Sequence, residues 1–442
     1  MVLPVPWLKA AAALAAAMAV TACGEATLLP PRADEGVKPS LGQPVRSLIP
    51  TVNIAPARAW PAGTAPQPAA GWKLSSFSAG LDHPRWLLVL RNGDVLVAEA
   101  NAPKRAKDSP GIKGWIMRLV MKRAGAGVPS ANRITLLRDA DGDGVAEQRE
   151  LFAEGLNSPF GMALVGDRLY VANTDTVLEF AYTDGQTKLD APLRRLTELP
   201  AGEINHHWTK SLIASPDGSK LFVGVGSNSN VAENGLAAEE GRAAVWEIDR
   251  TSGSKRLYAS GLRNPVGLAW LPTTQGVPRL WAVVNERDEL GSDLVPDYLT
   301  AVDDGAFYGW PFTWWGTHAD VRVTAPDPRR ATPVRVPDFS LGSHVAPLGL
   351  AAGRLAGREG MFVGLHGSWN RRPHSGYKVV FVRFEGGAPQ GLAQDVLTGF
   401  LDGDGKARGR PVGVAVDARG ALLVADDVGN TVWRLEPGTA SR

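Results

Sequence analysis

After Trp72 the chain is patterned in short apolar runs of alternating character, broken every few residues by turn formers, a period of two that predicts strands. Leu87–Leu90 is apolar, Arg91–Asp94 contains Asn-Gly, and Val95–Glu99 is apolar again. Asn and Gly both accept positive φ, so these three stretches predict a β-hairpin. The unit recurs at Met162–Leu164 with Leu169–Asn173, at Ile213–Ala214 with Leu221–Gly224, and at Val414–Val416 with Leu422–Asp426. A third strand is predicted after each of several such hairpins, at Val177–Phe180, Val245–Ile248, Val380–Arg383 and Val432–Leu435.

Similar phrases introduce the units: GLDHPRW from Gly80, GLNSPFGMA from Gly155, GLRNPVGLA from Gly261, APLGLA from Ala346 and RPVGVA from Arg410. With the stretch from His207 to Ile213, they mark six openings, at Pro84, Pro159, His207, Pro265, Pro347 and Pro411. Repeats of this length, each built of several short strands, predict propeller blades. The expected fold is therefore all-β, a six-bladed β-propeller of four-stranded antiparallel blades. A sandwich or a pair of barrels would leave the repeated phrase unexplained.

The first residues follow another pattern. Ala10–Val20 is an apolar run too short to span a bilayer but suited to the core of a signal peptide. Val20-Thr21-Ala22-Cys23 follows and resembles the lipobox of bacterial lipoproteins. We expect a signal peptide at 1–22, a Pro-rich tether at 23–47 and the propeller at 48–442. The chain would be exported to the periplasm and held by lipid on Cys23, on the outer membrane.

Composition narrows the function. With 44% hydrophobic and 21% charged residues the chain folds, and 50 Gly with 33 Pro speak against a helical bundle. Forty-seven basic against 45 acidic side chains give no long-range pull on a phosphate backbone, so nucleic acid is not an expected partner. One cysteine permits neither an intrachain disulfide nor a Cys-x-x-Cys-His haem attachment. No Gly-rich dinucleotide fingerprint follows a strand, so NAD and FAD are not expected.

From Trp72 onward the chain resembles the soluble quinoprotein sugar dehydrogenases, and within them the L-sorbosone dehydrogenase-like branch. The resemblance rests on Gly261-Leu262-Arg263-Asn264-Pro265, on Tyr308-Gly309-Trp310-Pro311, on His207 five residues before Leu212, and on Arg408-Gly409-Arg410. It implies pyrroloquinoline quinone (PQQ) and calcium as cofactors and an aldose or sugar aldehyde such as L-sorbosone as substrate. It gives His207 the role of base and Arg263 that of the cation beside the reacting carbonyl. Asp297 would orient the base, and Asn264, Arg371, Arg408 and Arg410 would bind the cofactor. These residue types suit the chemistry: Arg meets carboxylates with a planar fork, and a neutral His accepts a proton near pH 7. The family's calcium-binding turn maps to Asp288 and Glu289. Val266 stands where the glucose enzymes carry a substrate-contacting glutamine. Without a haem motif, electrons must pass to a separate acceptor, a quinone or a cytochrome on another protein.

Asp139, Asp141, Asp143 and Glu147 have the oxygen-ligand spacing of a calcium loop. The flanks read as strands, so Glu147 is a better last ligand than Glu150. Trp310, Trp314, Trp315 and Trp369 could stack on a flat ring, although blade packing is their ordinary role. His206 is assigned to packing or a loop hydrogen bond, because neighbouring side chains in extended backbone face opposite sides. Two other functions fit a propeller: a calcium-dependent lactonase, and a lipid-anchored binding scaffold with no enzymatic activity.

Overall fold

A computed structural model describes residues 25–45, 51–103, 122–272, 276–324 and 333–438. Cys23 and the signal-peptide segment lie outside the described residues. The architecture is a ring of six antiparallel sheets, the expected six-bladed β-propeller.

Blade 1 is Pro84–Val89, Val95–Glu99, Arg133–Arg138 and Gln148–Ala153; blade 2 is Met162–Val165, Arg168–Ala172, Thr176–Ala181 and Arg194–Glu198. Blade 3 is Lys210–Ala214, Lys220–Val225, Ala244–Asp249 and Lys255–Ser260. Blade 4 begins with Asn264–Leu271, Arg279–Asn285 and Pro296–Ala301, and takes Phe339–Ser343 as its fourth strand. Blade 5 is Pro347–Leu355, Arg358–Leu365, Lys378–Glu385 and Ala388–Thr398. Blade 6 holds Pro411–Val416, Leu422–Asp426 and Thr431–Pro437, and its outer strand is Trp72–Ala79 from the other end of the sequence. That pairing closes the ring.

The repeated phrase now has a physical cause. One side chain from each opening, Trp86, Phe160, Trp208, Val266, Leu348 and Val412, meets the others in a single apolar cluster on the axis. The glycine inside four of the phrases lies where neighbouring inner strands touch. A Cβ on Gly161 would stand 2.1 Å from Leu212 N, on Gly349 2.2 Å from Val412 O, on Gly413 2.7 Å from Arg85 O, and on Gly267 2.8 Å from Leu348 O. Only glycine permits so close an approach of two backbones. Val266, 1% exposed, therefore belongs to the core and does not face a substrate.

Strand direction alternates within a blade. The loops entering each first strand and those joining second to third strands thus emerge on one face, here called upper. The remaining turns emerge on the lower face. The hairpin turns at Arg91–Asp94 and Asp417–Ala421 are lower, while the loops carrying His207, Arg263, Asp288, His366 and Arg410 are upper.

The expected tether differs from what is observed. Residues 25–45 lie against the upper face and the edge of blade 4. Glu35–Gly36 pairs with Ser340–Leu341 as a fifth strand, Leu28 N donates to Asp293 Oδ2 at 2.7 Å, and Thr27 N donates to Arg372 O at 2.7 Å. Pro-rich composition signals an absence of helix, and an extended chain is also the form that pairs with an open sheet edge.

Candidate active site

Above the apolar plug, charged side chains from several blades converge. The Arg85 guanidinium lies 6.0 Å from the Phe160 ring centre and 5.8 Å from that of Trp208. It donates to Asp427 of blade 6. Asp427 also bonds His366 Nε2 at 2.9 Å, and its backbone carbonyl accepts from His83 Nδ1 at 3.1 Å. Burial by itself would raise the Asp427 carboxyl, but His366, His83 and Arg85 outweigh it and hold the group well below the usual range. Burial pushes His366 down to about 4 against the pull of Asp427, so the imidazole is neutral at pH 7. Arg410 completes this side of the channel: it is 4% exposed and stacks 5.0 Å from the Tyr377 ring centre. The Nε atoms of Arg85 and Arg410 and Asp427 Oδ1 are buried with no hydrogen-bond partner among the described residues.

Across the channel stand His207 and Asn264. His207 is half-buried and His206 exposed. His207 Nδ1 lies 2.8 Å from the Ser227 carbonyl oxygen and 3.0 Å from Ser227 Oγ. A carbonyl only accepts, so Nδ1 carries the proton and the ring's lone pair is on Nε2. Asn264 is 7% exposed, and its Oδ1 is buried without a hydrogen-bond partner among the described residues. Gly226 makes room between the two: a Cβ there would stand 2.3 Å from Asn264 Oδ1 and 2.5 Å from His207 Cβ.

Arg263, 3% exposed, is engaged on every side. It donates to Glu286 O at 2.6 Å, to Asn230 Oδ1 at 3.0 Å and to Asp288 Oδ2 at 3.1 Å. Asp288 also accepts from Asn370 Nδ2 at 2.8 Å and lies 3.6 Å from His344 Nδ1. Burial would raise its carboxyl, yet Arg263, His344 and Asn370 hold it at about 2.

Several expected roles are not met. The Asp288 carbonyl, expected to ligate calcium, accepts from Arg322 Nη1 at 2.9 Å and Asn230 Nδ2 at 3.2 Å, while Glu289 is exposed with φ +69°. Oxygens already faced by this many N–H donors do not suit a hard cation, which needs them for itself. Asp297 does not orient the base; Ser227 holds His207 instead. The Asp297 oxygens accept from Glu286 N at 2.7 Å and Ala346 N at 2.8 Å, clasping blade 4 to blade 5, and burial pushes the carboxyl up to about 7. Arg371 is turned away from the channel, bonded to Asp34 Oδ2 and Ser343 O, both at 2.9 Å. Arg408 sits at the rim, 3.3 Å from Asp402, so of the two expected arginines only Arg410 is buried in the channel. Trp310 is buried, donating to Asn230 O at 3.0 Å; Trp314 is buried too, stacked on His318 at 4.4 Å, and Trp369 is half-buried.

Arg85, Asp427 and His366 have no expected role in the sequence. Arg85 follows the proline of an opening phrase, a signal that could have singled it out; Asp427 and His366 have no local signal, because their partners are on other blades.

Asp139, Asp141, Asp143 and Glu147 do come together, with one ligand oxygen from each within 4.8 Å of the others. The loop joins the third and fourth strands of blade 1, so it lies on the lower face, away from the channel cluster. Its backbone is folded onto its own carboxylates, with Asp139 accepting from Gly142 N at 2.7 Å and Gly144 N at 3.0 Å.

Known proteins share this architecture. The PQQ domain of Coprinopsis cinerea pyranose dehydrogenase in its holo form superposes with a TM-score of 0.65 at 20% identity, over 87% of this chain and 100% of that one. A calcium structure of the Trichoderma reesei family AA12 enzyme gives 0.66 at 21% identity, over 87% and 98%. In sequence, a PQQ-dependent sugar dehydrogenase of Hypocrea jecorina is 23% identical over 57% of this chain and 58% of its own length. A PQQ-dependent pyranose dehydrogenase of Coprinopsis cinerea is 25% identical over 72% of this chain and 46% of its own. The chain thus spans about half the length of these two named relatives. The family model described as TrAA12-like matches residues 119–297 and 316–437, more than half of the chain. On that match, the chain belongs to the TrAA12-like family of PQQ-dependent sugar oxidoreductases.

Proposed function

We propose that the protein oxidises an aldose or a sugar aldehyde of the L-sorbosone kind, using PQQ, and passes the electrons to a separate acceptor, a quinone or a cytochrome. The carrying observation is that buried polar atoms with no partner among the described residues stand around the channel, Asn264 Oδ1 on one side and, beside Asp427 Oδ1, the Nε atoms of Arg85 and Arg410 on the other. Unsatisfied buried groups are costly and imply a polar occupant. A flat tricarboxylate suits them: Arg85 and Arg410 would meet its carboxylates, and Asn264 would bond its ring edge. When bound, PQQ supplies a quinone carbonyl that accepts hydride.

The protein's own part is proton transfer. His207 Nε2 takes the proton of the hydroxyl on the reacting carbon, which an aldehyde carries only as its hydrate or hemiacetal, and the bond from Nδ1–H to Ser227 O keeps that lone pair on Nε2. Arg263 keeps positive charge beside this locus, while Asp288 fixes its orientation. The lactonase alternative requires carboxylates open to a channel metal, whereas Asp288 and Asp427 are both ion-paired to arginine.

Calcium is proposed only for the Asp139–Glu147 loop, in a structural role. Export to the periplasm and lipid attachment at Cys23 remain part of this proposal, on the strength of Val20-Thr21-Ala22-Cys23. The test is equilibrium titration of the purified apo-protein with PQQ, followed by a screen of aldoses and L-sorbosone with a dye acceptor. Saturable binding with sugar-dependent dye reduction is expected; failure of PQQ to bind would overturn the proposal.

A further inference from the structure

The segment expected to be a tether is pinned, and its pinning fixes where a lipid would be. Ser292 Oγ donates to Glu25 O at 2.6 Å, Thr27 Oγ1 bonds Asp293, and Leu28 N donates to Asp293 Oδ2 at 2.7 Å. Further on, Arg371 holds Asp34 at 2.9 Å and Val45 N donates to Leu290 O at 3.0 Å. Leu290, Ser292 and Asp293 belong to the same upper-face loop that carries Asp288, the partner of Arg263. The chain therefore reaches Glu25 on the upper face, beside the candidate active site.

Cys23 is two residues before Glu25. Two residues reach at most about 7 Å, even fully extended. A free linker of some twenty residues would let the body tumble at a distance of about 25 Å from its anchor, by random-coil scaling. A leash of two residues cannot. Leu28, three residues after Glu25, is 84% exposed and so offers an apolar side chain beside the attachment point.

We propose that the upper face is the membrane-facing surface of the lipid-anchored protein, with the channel mouth opening toward the bilayer. This rests on the lipid-anchor reading above and adds an orientation to it. The partner is the lipid surface itself, the side from which a lipid-soluble electron acceptor would arrive.

The test uses the full chain, lipidated and reconstituted in phosphatidylcholine vesicles containing doxyl-labelled lipid as quencher. Cys23 is the sole cysteine and is consumed by acylation, so an introduced cysteine carries the only fluorophore. Leu236→Cys and Asp404→Cys label upper-face loops; Ala418→Cys labels a lower-face turn. Quenching at both upper positions should exceed that at position 418 at least twofold. Adding Asp293→Ala, which removes the acceptor for Thr27 and Leu28, should bring the three values closer together. Equal quenching at all three positions in a chain shown by mass spectrometry to be lipidated would overturn the orientation and leave the anchor standing. A mature chain without lipid would overturn both.

Discussion

On the lower face, Asp217 accepts from Ser215 Oγ and from Ser219 within its own turn, and these bonds hold its carboxyl at about 2. On the upper face, Asp288 also rests at about 2, but there burial works against ionisation and the offsetting groups are Arg263, His344 and Asn370, from other loops. The one is a solvated turn that a few neighbouring residues complete. The other exists only once separate blades have met. Asp217 therefore shapes its own turn, whereas Asp288 and Asp427 are buried and depend on partners from other loops.

The comparison breaks most visibly at His207. His207→Gln should lower turnover by about two to four orders of magnitude, the usual worth of a general base, with PQQ affinity nearly unchanged. His206→Gln, at an exposed position, should lower it far less. A reversed ranking in steady-state kinetics would show that the wrong neighbour has been given the role.

Next comes the cofactor cradle. Arg410→Ala should weaken PQQ binding by about one to two orders of magnitude, the worth of a charge-assisted hydrogen bond. Arg371→Ala should leave affinity unchanged, because Arg371 is spent on Asp34 and Ser343. Equal losses in titration calorimetry would mean that the N-terminal segment moves to free Arg371 for the cofactor.

These residues also show what a sequence can reveal. Four of the six openings are legible because inner-strand contact forces a glycine after the plug residue, and that requirement repeats along the chain. His207, Asn264, Arg263 and Arg410 lie in such phrases, so the sequence marks their positions, while their expected roles come from the family resemblance. Asp427 is not marked, because its meaning comes from Arg85, 342 residues away, and from His366, 61 residues away. Arg371 was misassigned for the same reason: its partner Asp34 is 337 residues distant, in a stretch whose composition gives no hint of pairing. That Asp139, Asp141, Asp143 and Glu147 come together is legible in the sequence because all four are local.

A smaller effect concerns Asp297. Its carboxyl ionises at 3.8 ordinarily and at about 7 when buried here, so the folded state binds the proton more tightly. Stability from this group is fully present below about pH 4 and is lost as pH rises through about 7. Asp297→Asn leaves Glu286 N or Ala346 N without an acceptor, at a cost of about 1–3 kcal/mol. That deficit, measured by urea denaturation, should be larger near pH 5 than near pH 8. A deficit independent of pH would show that Asp297 is ionised throughout.

The smallest effect on catalysis is expected on the lower face. The double variant Asp141→Asn/Glu147→Gln should lose calorimetrically detected calcium and some thermal stability while keeping its turnover. A matching loss of turnover would mean that the two faces are coupled and that their separation is wrong.

The most direct measurement is titration of the purified protein with PQQ, followed by addition of an aldose or L-sorbosone and a dye acceptor. One cofactor site whose affinity falls in Arg410→Ala is expected, with sugar-dependent dye bleaching that disappears in His207→Gln. No PQQ binding, or bleaching that His207→Gln leaves intact, would contradict this expectation.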